Sequence, residues 1–175
     1  GQIIAFHLQD GSWLNAAMGA ERVYYYMPGL RYMRALEAWF FGETDFGYLL
    51  ICISWPLLLF AFLKKFLPYS LSVILVILFT FTKLGKYVGF SLARYIEEAN
   101  YGNAETLGYF LFLAGVTAAV TLFRDSENQN SRLVAWFAAG LTFALAIFLR
   151  PNVAIGTLVF CVFIGVPMLR NGRTS

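Results

Sequence analysis

The chain has 175 residues, of which 59% are hydrophobic, 18% are aromatic and only 13% are charged. About a quarter of the residues in a soluble domain are charged, so this composition excludes an ordinary soluble enzyme and predicts an all-α, polytopic transmembrane helical bundle. The net charge of +3 is small and lies at predicted helix ends, which excludes a basic nucleic-acid-binding surface.

Residues 1–45 are predicted to form an external segment that contains short helices. Residues 2–14 should form a short helix that ends in a turn near Gly11, and residues 15–22 should form a loop. The chain opens on Gly1, and its first residues do not follow the pattern of a signal peptide. We therefore expect it to be a piece of a longer protein.

An amphipathic helix is predicted to begin at Pro28, because proline suits the first turn of a helix. Gly42 should end it. Apolar residues recur along it at steps of three and four: Leu30, Met33, Leu36 and Phe40. Aromatic residues surround this charged helix, and a long uncharged run follows it. That arrangement is typical of a segment that lies in the membrane interface.

Residues 46–175 contain five apolar runs that predict membrane-spanning helices: 46–63, 69–82, 106–123, 133–149 and 153–169. The basic residues predicted to lie on the cytoplasmic side are Lys64, Lys65, Arg124, Arg132, Arg170 and Arg173. Those on the outer side are Lys83, Lys86, Arg94 and Arg150. The polar connection 83–105 is then external, and the protein is predicted to lie in the plasma (inner) membrane with its active face outward.

Two features of the apolar runs predict packing and no chemistry. Small residues should pack one helix closely on another: Gly115 with Ala114, Ala118 and Ala119. Cys52 and Cys161 lie inside apolar runs without a CxxC pair or a neighbouring histidine. We expect both to be small buried side chains.

Carboxylates on the predicted outer side are the candidate catalytic groups: Asp10 in the first outer segment, and Glu97, Glu98 and Glu105 in the second. A carboxylate near a lipid surface could take a proton from a hydroxyl, or two could hold a divalent cation beside a phosphate. No metal-ligand spacing is present, so the cation stays an open alternative. Glu105 lies at the start of a predicted helix. A negative charge there stabilises the helix dipole, and this structural role would explain the residue equally well.

Basic and aromatic residues on the same side are candidates for binding an anionic lipid. Arg150 is followed by proline and could meet a phosphate or simply extend toward lipid headgroups. Arg31 and Arg34 could also meet a lipid headgroup, although Arg34 is spaced to pair with Glu37. The tyrosines could stack on a sugar or a lipid, or belong to an interfacial aromatic belt: Tyr24, Tyr25 and Tyr26.

Four features taken together resemble the amino-terminal half of the polytopic glycosyltransferases of the C superfamily. They are YYYMPGLRYMRALEAWFFGE, the spanning run that follows it, GNAETLGYFLFLAG and FLRPN. Members of this family include mannosyl- and arabinosyltransferases that use sugars linked to a polyprenyl phosphate. The order and spacing of the four features extend the resemblance over nearly the whole chain.

The resemblance implies an inverting sugar transfer at the outer face without a nucleotide sugar. A carboxylate takes the acceptor proton, and polyprenyl phosphate departs as the anomeric carbon is attacked. The family's second acidic position corresponds to Glu97, Glu98 or Glu105, whereas its base is expected before Gly1, with Asp10 as the early acid present here. The sugar and the acceptor are not specified by these residues.

Two other interpretations of the sequence stay open. One is a non-enzymatic membrane protein, such as a lipid-carrier translocation or scaffold subunit. The other is a small transporter, which ranks lowest because no predicted spanning run holds a charge at mid-membrane.

Overall fold

The computed structural model describes residues 2–18, 28–42, 44, 46–82, 91–100, 104–125 and 129–171. These residues form nine helices, and the all-α expectation is confirmed for them. Their bounds are α1 Gln2–Gln9, α2 Trp13–Met18, α3 Pro28–Phe41, α4 Phe46–Leu63, α5 Tyr69–Phe81, α6 Leu92–Asn100, α7 Ala104–Asp125, α8 Gln129–Leu149 and α9 Val153–Asn171.

A helix forms over each of the five predicted apolar runs. Within the described residues, α4 is the helix long and apolar enough to cross a membrane, judged by length and composition. The other apolar stretches are shorter: Tyr69–Phe81, Thr106–Thr121, Trp136–Leu149 and Val153–Phe163. The helices are therefore established, and a polytopic bundle stays a prediction.

The helices α7 and α8 form a tightly packed antiparallel pair. Gly108 near the start of α7 lies against Arg150 after the end of α8, and Gly115 lies against Thr142 and Phe143. A Cβ placed on Gly115 would be 2.8 Å from Phe143 Cε1 and from Thr142 Oγ1. The absence of a side chain at position 115 leaves room for the Thr142 and Phe143 side chains in this close contact. The predicted small-residue packing face is thus confirmed.

The helix α4 packs alongside α7 and runs parallel to it. Near its start, Tyr48 and Cys52 are 3% and 1% exposed and form a core cluster with Leu107. Further along, the Trp55 ring meets the Phe110 ring edge-on at a centroid distance of 5.6 Å. These contacts place the start of α4 and the start of α7 at the same end of the structure.

The helix α6 lies within the connection 83–105 that was predicted to be external, and it packs between α4 and α7. The ring of Tyr95 stacks on Trp55 with centroids 4.4 Å apart, and Thr106 Oγ1 donates a hydrogen bond of 3.1 Å to the Tyr95 carbonyl oxygen. Thr106 is fully buried. An amphipathic helix anchored by an aromatic pair therefore stands where the sequence indicated a polar connection.

Two local predictions were wrong. Part of the predicted loop 15–22 belongs to α2, because Ala16, only 3% exposed, packs in a cluster with residues of α1 and α3. Cys52 is buried as expected, but Cys161 is exposed. Cys161 follows Phe160, which packs toward the α7–α8 pair, so the next position is rotated about 100° away from that contact.

We predict that Thr106→Val lowers the free energy of unfolding by about 1–2 kcal/mol, because the shape is kept while the hydrogen bond between α7 and α6 is lost. Denaturant unfolding of the protein in detergent measures this change. Thr117→Val is the matched control, since Thr117 bonds only to the carbonyl of Leu113 in its own helix. Equal losses in the two variants would contradict a stabilising role for the contact with α6.

Candidate functional site

The first turn of α3 is docked directly on the end of α8. A Cβ placed on Gly29 would lie 2.6 Å from the Phe148 carbonyl oxygen and 2.8 Å from its carbonyl carbon. The Tyr32 ring stacks on the Phe148 ring at a centroid distance of 6.0 Å. The Pro28-Gly29 pair and the FLRPN block, which are far apart in sequence, are therefore neighbours in the fold.

Arg150 follows the last residue of α8 and lies across the second turn of α7. A Cβ placed on Gly108 would be 2.9 Å from the Arg150 Cβ, and Arg150 is half-buried. Glu105 is the second residue of α7, one turn before Gly108, although its side chain lies outside the described residues. The backbone thus brings the candidate carboxylate position and the candidate phosphate ligand to one place.

One core cluster holds these elements together at this end of the structure. Its buried members come from α4, α7 and α8, and α3 and α6 pack against them: Tyr48, Cys52, Leu107 and Leu149, with Leu30, Met33 and Ile96 at the edge. Lys64 follows the opposite end of α4. The described elements that were predicted to be external therefore share one end. Its assignment to the outer side of a membrane stays a prediction.

A buried carboxylate joins α3 to the first turn of α4. Glu37 Oε1 accepts a 2.9 Å hydrogen bond from the backbone N–H of Tyr48, and Oε2 accepts a 2.7 Å bond from Arg34. The Arg34 guanidinium also lies 4.3 Å from the centre of the Tyr48 ring. The pairing of Arg34 with Glu37 is confirmed. Headgroup binding by Arg34 and Arg31 stays a prediction.

The remaining candidates do not join this group. Asp10 is exposed in the turn after α1. Glu97 is exposed and pairs with Arg94 at 3.2 Å on the same helix. The side chain of Glu98 and the whole of the tyrosine run lie outside the described residues: Tyr24, Tyr25 and Tyr26.

Neither relatives nor a metal cluster define this site further. Comparison of the chain with protein-family models, curated proteins and solved structures gave no match. Among the side chains that the structure describes, no three of His, Cys, Asp or Glu lie together in a way that could hold a metal ion. The sequence blocks and the geometry of their junction are the features that point to a function.

We predict that Gly29→Ala weakens the docking of α3 and lowers the free energy of unfolding by about 1–3 kcal/mol, because a backbone oxygen occupies the space that the methyl group needs. Thermal unfolding in detergent measures the loss. Gly140→Ala is the control, since no atom lies within 4 Å of that position, and it should be neutral or slightly stabilising. Parallel losses in both variants would contradict the close approach at Gly29.

Proposed function

We propose that this chain is part of a membrane glycosyltransferase that moves a sugar from a polyprenyl-phosphate carrier to an acceptor, with inversion. One observation supports the proposal most directly: Gly29 of the first sequence block touches Phe148 of the last, two residues before Arg150. The block that begins α7 lies against Arg150 through Gly108. Three of the blocks that carry the resemblance thus form one junction.

In this proposal Arg150 binds the phosphate of the lipid carrier. A guanidinium can bind a phosphate through two parallel hydrogen bonds and keeps its charge at all physiological pH values. During transfer the acceptor oxygen bonds to the anomeric carbon while the bond from that carbon to the phosphate oxygen breaks. Negative charge grows on the departing phosphate, and Arg150 stabilises it.

Carboxylates complete the proposed site. Glu105 supplies the second acidic position, and Glu97 and Glu98 on α6 are the other candidates for it. Asp10 is the candidate within this chain for the base that takes the acceptor proton. A divalent cation between a carboxylate and the phosphate is compatible with the same residues.

The exposure of apolar side chains favours a bilayer around these helices. Only 17% of α4 is buried within the structure, whereas the core helix of a soluble protein is mostly buried. Ile53 and Leu57 on α4 are 56% and 70% exposed, and Phe137 on α8 is 74% exposed. Apolar surface of this extent normally contacts lipid or protein. The proposal accordingly places the chain in the plasma (inner) membrane with the junction at its outer face.

A transfer assay tests the enzymatic proposal. The intact protein in lipid vesicles would be given polyprenyl-phosphate mannose or polyprenyl-phosphate arabinose, and released polyprenyl phosphate would be measured. We expect Arg150→Ala to slow release about 100-fold, because one donor to the developing charge is lost. Arg150→Lys should retain part of the rate. Lys64→Gln, at the opposite end of α4, should leave it unchanged.

The outcomes separate the two main functions. Unchanged release in both Arg150 variants would remove Arg150 from the site. If the unaltered protein binds the lipid carrier but releases no polyprenyl phosphate from either donor, the non-enzymatic translocation or scaffold function is favoured instead.

A second prediction tests the bilayer around α4. Ile53→Arg should reduce insertion of this helix, because arginine near the centre of a spanning helix costs about 2.5–3.5 kcal/mol. The inserted fraction can be measured by glycosylation mapping in microsomes. Ile53→Leu serves as the control and should insert fully. Equal insertion of the two variants would place this face of α4 in water or against protein.

A further inference from the structure

The contact between α3 and α4 combines apolar packing, in which Leu30 and Met33 lie against the cluster that contains Tyr48, with one buried carboxylate. Apolar residues of the two helices line an open groove of about 380 Å³ between them: Met33, Leu36, Phe40 and Phe41 from α3, with Leu50 and Ile51 from α4. Glu37 crosses between the helices at the edge of this groove. A Cβ placed on Gly47 would be 3.3 Å from Glu37 Oε1, so the first turn of α4 closes around the carboxylate.

We propose that Glu37 is a positioning residue: it fixes α3 on α4 and thereby holds Gly29 against the segment that carries Arg150. The consequence for catalysis rests on the proposed function, whereas the effect on the position of α3 does not. The spacing of Glu37 in the sequence predicts a pairing with Arg34. Its bond to Tyr48 gives it a second role that the sequence did not indicate.

The chemistry of Glu37 suits a fixed link between two helices. Its side chain is 8% exposed, and each oxygen accepts a hydrogen bond from a different helix. Hydrogen bonds to an ionised carboxylate are stronger than those between neutral groups. The Tyr48 N–H is one of the first-turn amides of α4 that have no partner within the helix, and a negative charge there also complements the helix dipole.

Because Glu37 and Gly29 lie on one helix, the contact that Glu37 makes with α4 also affects the position of Gly29. Gly29 lies about two helical turns before Glu37, a distance of roughly 12 Å along a rigid helix. The helix is thus attached to α4 near its middle and to α8 at its start. Because an open groove lies beside the carboxylate, its loss should loosen α3 on α4 and weaken the contact of Gly29 with Phe148.

Crosslinking tests the position of α3 without any sugar substrate. Cysteines would replace Tyr32 and Phe148, whose rings stack, in the intact protein with Cys161→Ser, and a short bifunctional thiol reagent would be applied in lipid vesicles. We expect Glu37→Ala to slow crosslinking about tenfold, as loss of a charge-assisted bond of this kind weakens docking by at least that factor. The crosslinking rate of Glu37→Gln should lie between the rates of the unaltered protein and of Glu37→Ala, because the glutamine carbonyl can still accept the hydrogen bond from the Tyr48 N–H.

The control is Arg94→Gln, which breaks the exposed pair with Glu97 at the same spacing and should not change the crosslinking rate. Crosslinking of Glu37→Ala and Glu37→Gln at the unaltered rate would overturn the positioning role. Circular dichroism checks folding, and Glu37→Gln serves as the deciding variant if Glu37→Ala does not fold.

Transfer measurements on the same variants extend the test. If Glu37 positions the site, sugar transfer should fall in the order that crosslinking falls, with Glu37→Gln again intermediate. Transfer that stays constant while crosslinking slows would overturn the catalytic consequence. Absence of transfer in the unaltered protein would count against the proposed function and leave the crosslinking result intact.

Discussion

The close approach of α3 to the end of α8 is the contact on which the arrangement of this chain depends. At Gly29 a backbone carbonyl occupies the position that any side chain would need. Because the obstacle is the Phe148 backbone, rotation of a side chain cannot relieve it. Arg150, two residues after Phe148, lies against Gly108 of α7. At these two glycines the absence of a side chain allows the start of α3, the end of α8 and Arg150 to lie close together, although they come from separate parts of the sequence.

The helices around this contact pack in a ring, in which each helix contacts the next. The helix α3 is joined to α4 by the Glu37 carboxylate, α4 packs along α7 through Cys52 and Leu107, and α7 pairs with α8, which returns to α3. Each contact uses different chemistry: a backbone amide that donates to a buried carboxylate, apolar packing, and glycines that allow close helix approach. A displacement of one member changes the fit of the next, so the position of Arg150 depends on residues that never touch it.

The sequence predicts features that depend on neighbouring residues and fails where distant ones meet. The start of α3 at Pro28 and its end at Gly42, which has a φ of 73°, are determined locally and were predicted correctly. The pairing of Arg34 with Glu37 follows from their spacing of three. By contrast, the bond from Tyr48 to Glu37 joins residues 11 apart on two helices, and the stacking of Tyr95 on Trp55 joins two distant helices. Neither has a periodic signal in the sequence.

The burial of α6 changes where the candidate acids of that helix can act. Tyr95 lies level with Trp55, which is nine residues after the start of α4 and so roughly 13 Å along it. If α4 crosses a bilayer as we propose, α6 is recessed below the membrane surface and not part of an external loop. A carboxylate at that depth needs a partner or water to stay charged, and Glu97 has Arg94 at 3.2 Å on the same helix.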